Sequence, residues 1–160
     1  MDAATAIKGN LDMAEMIGMA YLGDLSGTEL LQRPHPECHH LNWQVGHLVC
    51  SEHQMMETLA PGAMPALPAG FIEKYSKGTA DQQDPSKFAT KDELMQAYQD
   101  QRAGTLAILA KMTPQEMDEP SGIDYAPTKG ALLRMQGEHW MMHCGQWVIV
   151  RRNCGKPVVI

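Results

Sequence analysis

Apolar residues recur at helical spacing in four stretches of the chain. The first runs from about Ala3 to Leu22, with Ile7, Leu11, Ala14, Ile17 and Tyr21 on one stripe, and ends in the turn material GDLSGTE. The second begins near Leu41 and continues to Ala60, where Pro61-Gly62 stops it. The third opens at Thr90, with Glu93 placed to complete a capping box, and carries Leu94, Ala97, Tyr98, Gln101, Leu106 and Leu109 as far as Met112. Thr113-Pro114 closes it. The fourth starts at Thr128, the expected cap, and runs to Asn153, beyond which Gly155 and Pro157 end it.

Between the second and third helices lies PGAMPALPAGFIEKYSKGTADQQDPSKFA, whose four prolines and three glycines rule out a long helix. A connection of that length is uncommon in a compact domain and often forms a lid or one wall of a site. A second irregular stretch, TPQEMDEPSGIDYAPT, joins the third helix to the fourth. No strand-like alternation of useful length and no internal repeat is evident. The pattern predicts an all-α fold, a four-helix bundle with a long connection between helices two and three, formed as a single domain over residues 1–160.

Composition narrows the function classes. Apolar residues make up 44% of the chain and charged residues 20%, too apolar for disorder. The net charge of −6 repels phosphate backbones, which argues against a nucleic-acid partner. No apolar run approaches the ~20 residues needed to span a bilayer, and the N-terminus lacks the basic and apolar regions of an export signal. Cys38, Cys50, Cys144 and Cys154 show no C-x-x-C spacing and suggest no disulfide framework, so a reducing, cytoplasmic setting is expected. Thirteen methionines against two phenylalanines tilt the core toward packed helices, and their helical spacing favours core packing over an adaptable methionine surface.

The candidate chemistry lies in the histidines. His139 and His143 stand four residues apart on the fourth helix, so both rings leave one face, roughly 5–6 Å apart at Cβ. That edge continues through Leu132, Gln136, Gln146 and Val150, which points the two rings inward. An H-x-x-x-H pair taken alone favours two hydrogen-bonded core imidazoles over a metal. Trp140 stands where an H-E-x-x-H protease has its catalytic Glu, which excludes that chemistry, and Glu138 faces solvent. A third ligand has to come from the second helix, HHLNWQVGHLVCSEH. There His47 has the best context, beside the stripe of Leu41, Val45 and Leu48 and next to Gly46, which would let a neighbouring helix come close. His53 lies about 240° further round and cannot face the same centre. His35, His39 and His40, with Cys38, sit before the helix and could form a surface metal site, but the prolines and exposure favour capping or solvated roles. Cys144, adjacent to His143, points elsewhere and reads as a small buried residue. Three imidazoles with no fourth protein ligand would leave a coordination position open, as in catalytic rather than structural sites.

HLNWQVGHLVCSEH, followed some ninety residues later by GEHWMMHCGQWVIVRRNCGKP, resembles the DinB-like superfamily, as does LSGTELLQRP before the second helix. The resemblance implies a four-helix bundle, often dimeric, with a divalent metal held by His47, His139 and His143. Relatives in that superfamily include transferases using bacillithiol, mycothiol or other low-molecular-weight thiols. The expectation is a metalloenzyme whose ion (Zn, Ni, Fe or Mn) activates a thiol or water against a small electrophilic molecule, by thiol transfer or hydrolysis. Gln146 would touch the bound ligand or orient an imidazole, with a satisfied core amide an equal alternative, and Glu52 is a weak candidate for a general base. No catalytic residue beyond the ligands can be named. The implied partners are a small-molecule substrate and a second copy of the chain, with no nucleic acid and no membrane. Two alternatives stay open: a metal-binding or interaction bundle without turnover, and a metal-free dimer whose histidines are core residues.

Overall fold

Side-chain caps fix where the helices begin. The Asp2 carboxylate accepts the Thr5 N–H at 2.8 Å and opens α1, Ala3–Leu22. His40 Nδ1 accepts the Trp43 N–H at 3.0 Å and opens α2, Leu41–Leu59. A single turn, α3 (Phe71–Lys74), follows within the long connection. Thr90 and Glu93 form the expected capping box of α4, Lys91–Lys111, and Thr113 with Glu116 forms another for the one-turn α5, Pro114–Met117. Thr128 caps α6, Lys129–Asn153. The coordinates are a computed structural model and describe residues 1–158.

The four long helices close into a ring: α1 packs along α6, α6 against α2, α2 along α4, and α4 back against α1. The fold is all-α, as the periodicity predicts. Its interior divides into two apolar clusters. One gathers Leu22, Leu48, Tyr98, Trp140 and Trp147, and the other Leu11, Met56, Leu109, Leu132 and Leu133.

Three readings need correction. The stretch joining α5 to α6 holds a short antiparallel hairpin, β1 (Pro120–Ile123) and β2 (Ala126–Thr128). These strands are too short to show an alternation, and they are held by a local device. Gly122 adopts φ 81°, and the Ser121 hydroxyl donates to the Ala126 carbonyl. The methionines are divided in role. Met56, Met64 and Met117 are core residues, whereas Met13, Met16 and Met142 are more than half exposed. Gly46 makes room for a side chain from the long connection, not for a helix. A β-carbon there would collide with the ring of Tyr75.

Tyr75 also pins that connection to the bundle. Its hydroxyl donates to Asn42 Oδ1 at 3.1 Å and accepts the Ala89 N–H at 3.0 Å, while Asn42 Nδ2 donates to the Ala89 carbonyl. The far side of the loop is thus fastened to α2 at Asn42, about one and a half turns before His47. Among the described residues, no helix is long and apolar enough to cross a membrane.

Candidate metal centre

Helical spacing carries His139 and His143 to the inner face of α6, and the α2–α6 packing brings His47 opposite them. One nitrogen from each ring lies within 4.8 Å of the other two. The ring centroids are 5.5 Å apart for His47 and His139, 6.1 Å for His47 and His143, and 5.2 Å for His139 and His143. The His47 and His139 planes are nearly perpendicular, at 85°, so the rings meet without stacking face to face.

The orientation of His143 is set by a residue the sequence reading passed over. Gln44 Oε1 accepts from Trp147 Nε1 at 3.0 Å and lies 2.8 Å from His143 Nδ1. An amide oxygen only accepts, so Nδ1 carries the proton and Nε2 keeps its lone pair. The amide cannot be turned round, because Gln44 Nε2 already donates to the His39 carbonyl at 2.7 Å and to Gln146 Oε1 at 3.1 Å. Gln146 therefore stands one step back: it holds Gln44, which holds the imidazole. His47 is backed differently. The Trp43 indole stacks on it with planes 5° apart, and Trp43 Nε1 donates to Thr79 Oγ1 in the long connection. The connection thus contributes a wall by fixing the ring behind His47.

Burial disfavours the charged imidazoles. His47 and His143 are pushed down to about 4, first by desolvation and then by the neighbouring histidines, and burial also lowers His139. All three are neutral at pH 7, with lone pairs available to a cation. His40, fully buried at the α2 cap, is also pushed down to about 4, by desolvation and then Arg33. The sign for stability follows directly. Between about pH 6.5 and 4 the unfolded chain takes up protons that the folded chain refuses, so stability is full above pH 6.5 and falls through that window. The capping carboxylates Glu29, Glu93 and Glu116 are held below their usual range by the N–H groups they accept, so their loss comes at lower pH. In chelator, urea unfolding at pH 5 is expected to show about 2–4 kcal/mol less stability than at pH 7. An unchanged midpoint would mean the rings protonate freely in the fold.

The remaining candidates are drawn elsewhere. His53 Nδ1 lies 2.9 Å from Gln101 Oε1, facing α4. His40 is a cap, and His35 Nδ1 accepts the Glu37 N–H in its own turn. Cys38 and the other three cysteines are free. Cys144 is 2% exposed, and burial pushes its thiol up to about 12, which keeps it protonated. Glu138 pairs with Arg134 at 2.9 Å on the outer face of α6. Glu52 is buried in an ion pair with Arg102 at 3.0 Å and accepts from Thr105 at 2.6 Å, so both carboxylate oxygens are engaged by α4 rather than turned to the histidines.

Comparison with known proteins gives two findings. A sequence model described as the DinB superfamily matches residues 11–147. A solved structure described as the conserved protein of locus from Enterococcus faecalis superposes with a TM-score of 0.73 at 20% identity, covering 98% of this chain and 99% of the other. At that identity the likeness speaks for the fold. No curated protein matches the chain.

Proposed function

Since the chain belongs to the DinB superfamily, we propose that it is a divalent-metal-dependent enzyme acting on a small electrophilic molecule, by thiol transfer or hydrolysis, with His47, His139 and His143 holding the ion. The observation that carries this reading is the convergence of three imidazole nitrogens, from α2 and α6, within 4.8 Å of one another. The donor set fits the group. Three neutral nitrogens and no carboxylate suit a borderline ion such as zinc, nickel or iron and suit calcium or magnesium poorly. When bound, such an ion supplies Lewis acidity that lowers the pKa of a neighbouring thiol or water and gives a nucleophile at neutral pH.

The chain's own residues do the rest. Gln44 keeps the His143 proton on Nδ1 and leaves the Nε2 lone pair available to a cation. Trp43 covers His47 and keeps water from one side. Burial holds the three rings neutral, so no proton has to leave before they bind a cation. No fourth side chain joins the group among the described residues, which leaves one side for a ligand.

The test is a cobalt(II)-substituted sample titrated with a low-molecular-weight thiol. A thiolate charge-transfer band appearing with saturation is the expected result. A cobalt spectrum unmoved by thiol and unmoved by pH, in protein that melts much earlier once chelated, would show neither a thiol nor an ionising water on the ion, assign it to stabilising the fold and overturn the catalytic reading. Gln44→Met gives a second check. It removes the acceptor that orients His143, so metal affinity is expected to fall about 10–100-fold, as measured by competition with a chromophoric chelator. Unaltered affinity would show that Gln44 does not tune the site.

A further inference from the structure

A pocket of about 360 Å³ opens beside the histidine cluster, lined by Met55 of α2, Tyr125 of the hairpin turn, and Met135, Glu138, His139 and Met142 of α6. His139 belongs to both, so whatever fills the pocket lies against one of the three converging rings. The lining is three thioethers, a phenol, an imidazole and one carboxylate. That carboxylate is already paired with Arg134, and no lysine or arginine is among the described residues that line the pocket.

The outer part of this surface is apolar without being core. Tyr125 is 72% and Met142 61% exposed, so two large apolar side chains stand in water at the mouth of one cavity. The inner part is fixed, because Gln136 Nε2 donates to the Met55 sulfur at 3.3 Å and holds that thioether in place. A fixed inner wall, an adaptable methionine rim and an aromatic ring from a separate element are the ingredients of a small-molecule site. A second cavity of about 220 Å³, lined in part by Lys111, Lys129 and Glu116, carries the cationic side chains that the lining of this one lacks.

We propose that the pocket formed by Met55, Tyr125, Met135, Glu138, His139 and Met142 binds an uncharged apolar small molecule, aryl or alkyl, and selects that class as the substrate presented to the histidine cluster. Its role as substrate rests on the metalloenzyme reading above; its binding does not. Anionic molecules are disfavoured twice, by the absence of a pairing cation and by the chain's net charge of −6. Flexible thioethers make the pocket tolerant of shape and intolerant of charge.

The experiment titrates the full chain with N-phenyl-1-naphthylamine, an uncharged fluorescent probe, and with its anionic relative 1-anilinonaphthalene-8-sulfonate, with metal content and sedimentation measured in parallel. Saturable binding of the uncharged probe, at least about tenfold tighter than the sulfonate, is expected. Met142→Glu and Tyr125→Ala alter exposed side chains and leave the packing intact. Met142→Glu is expected to weaken the probe by about tenfold or more and Tyr125→Ala by a few-fold, with bound metal unchanged. Equal binding of the two probes, full affinity in Met142→Glu, or no saturable binding in the wild type would each overturn the proposal. A dimer that Met142→Glu splits, with no probe bound, would give the patch to a second copy and also overturn it. Probe binding with the same Met142 dependence in protein that takes up no metal would uphold the pocket while refuting the metalloenzyme reading; metal retention without probe binding would do the reverse.

Discussion

His143→Ala is expected to leave a folded protein that no longer holds a divalent metal. The wild type, purified from metal-replete medium, should carry close to one ion per chain and the variant less than about a tenth of that, because two remaining imidazoles are too few ligands for a stable site. The fold should tolerate the change. His143 is only 9% exposed, but its one hydrogen bond is to Gln44 Oε1, which keeps a partner in Trp147 Nε1. Stability supplies an independent reading of the same event. An ion that binds only the folded state raises unfolding free energy by about 2.7 kcal/mol at a free concentration of 100 Kd, and the variant should show no such rise. His53→Ala is the matched control. It removes an imidazole from the same helix as His47, but one that faces Gln101, so metal content should not change. Full occupancy in His143→Ala would remove the basis of the proposed function, and so would a wild type that takes up no metal when supplied with it.

That control shows what the sequence could and could not reveal. Angular spacing on α2 was enough to separate His47 from His53, and caps at Thr90 and Thr128 set the starts of α4 and α6 where the pattern puts them. These are local properties, written within a few residues of each other. Gln44 reads locally as one more polar residue among apolar neighbours, because its partners lie 99 and 103 residues away. Tyr75 against Gly46 is similar: the glycine signalled a close approach, but only the folded path of the connection could say that a ring from the loop makes it. The hairpin escaped notice for another reason. With strands of four and three residues, it depends on a single positive φ at Gly122 more than on any periodic pattern. It carries Tyr125 to the pocket beside His139, so the element hardest to see in the sequence supplies one of the residues nearest the proposed substrate.

Glu52→Ala should be strongly destabilising, and it should leave the metal alone. Glu52 lies five residues beyond His47, about 140° round the helix, so it faces α4 while His47 faces α6. It is 1% exposed, pairs with Arg102 Nη2 at 3.0 Å and accepts from Thr105 Oγ1 at 2.6 Å. Arg102 is 2% exposed and has few other supports: the Leu11 carbonyl at 3.3 Å and the Tyr98 ring, 5.4 Å from its guanidinium carbon to the ring centroid. Removing the carboxylate leaves a buried guanidinium with only the weaker influence of Glu15 as counter-charge, and such a break costs about 3–5 kcal/mol. For a chain of this length that corresponds to a drop in melting temperature of roughly 10 °C or more. Replacing both charges, as in Glu52→Leu with Arg102→Met, should recover most of the loss, because the cost lies in the orphaned charge rather than in a large net gain from the pair. The two halves of the double variant therefore distinguish a structural ion pair from a reactive carboxylate. A general base would lose activity in Glu52→Leu/Arg102→Met however well the double variant folds, whereas a structural pair would regain both stability and metal-dependent function. The second outcome is the one expected, since both carboxylate oxygens are already engaged on the side of α2 turned away from the histidines.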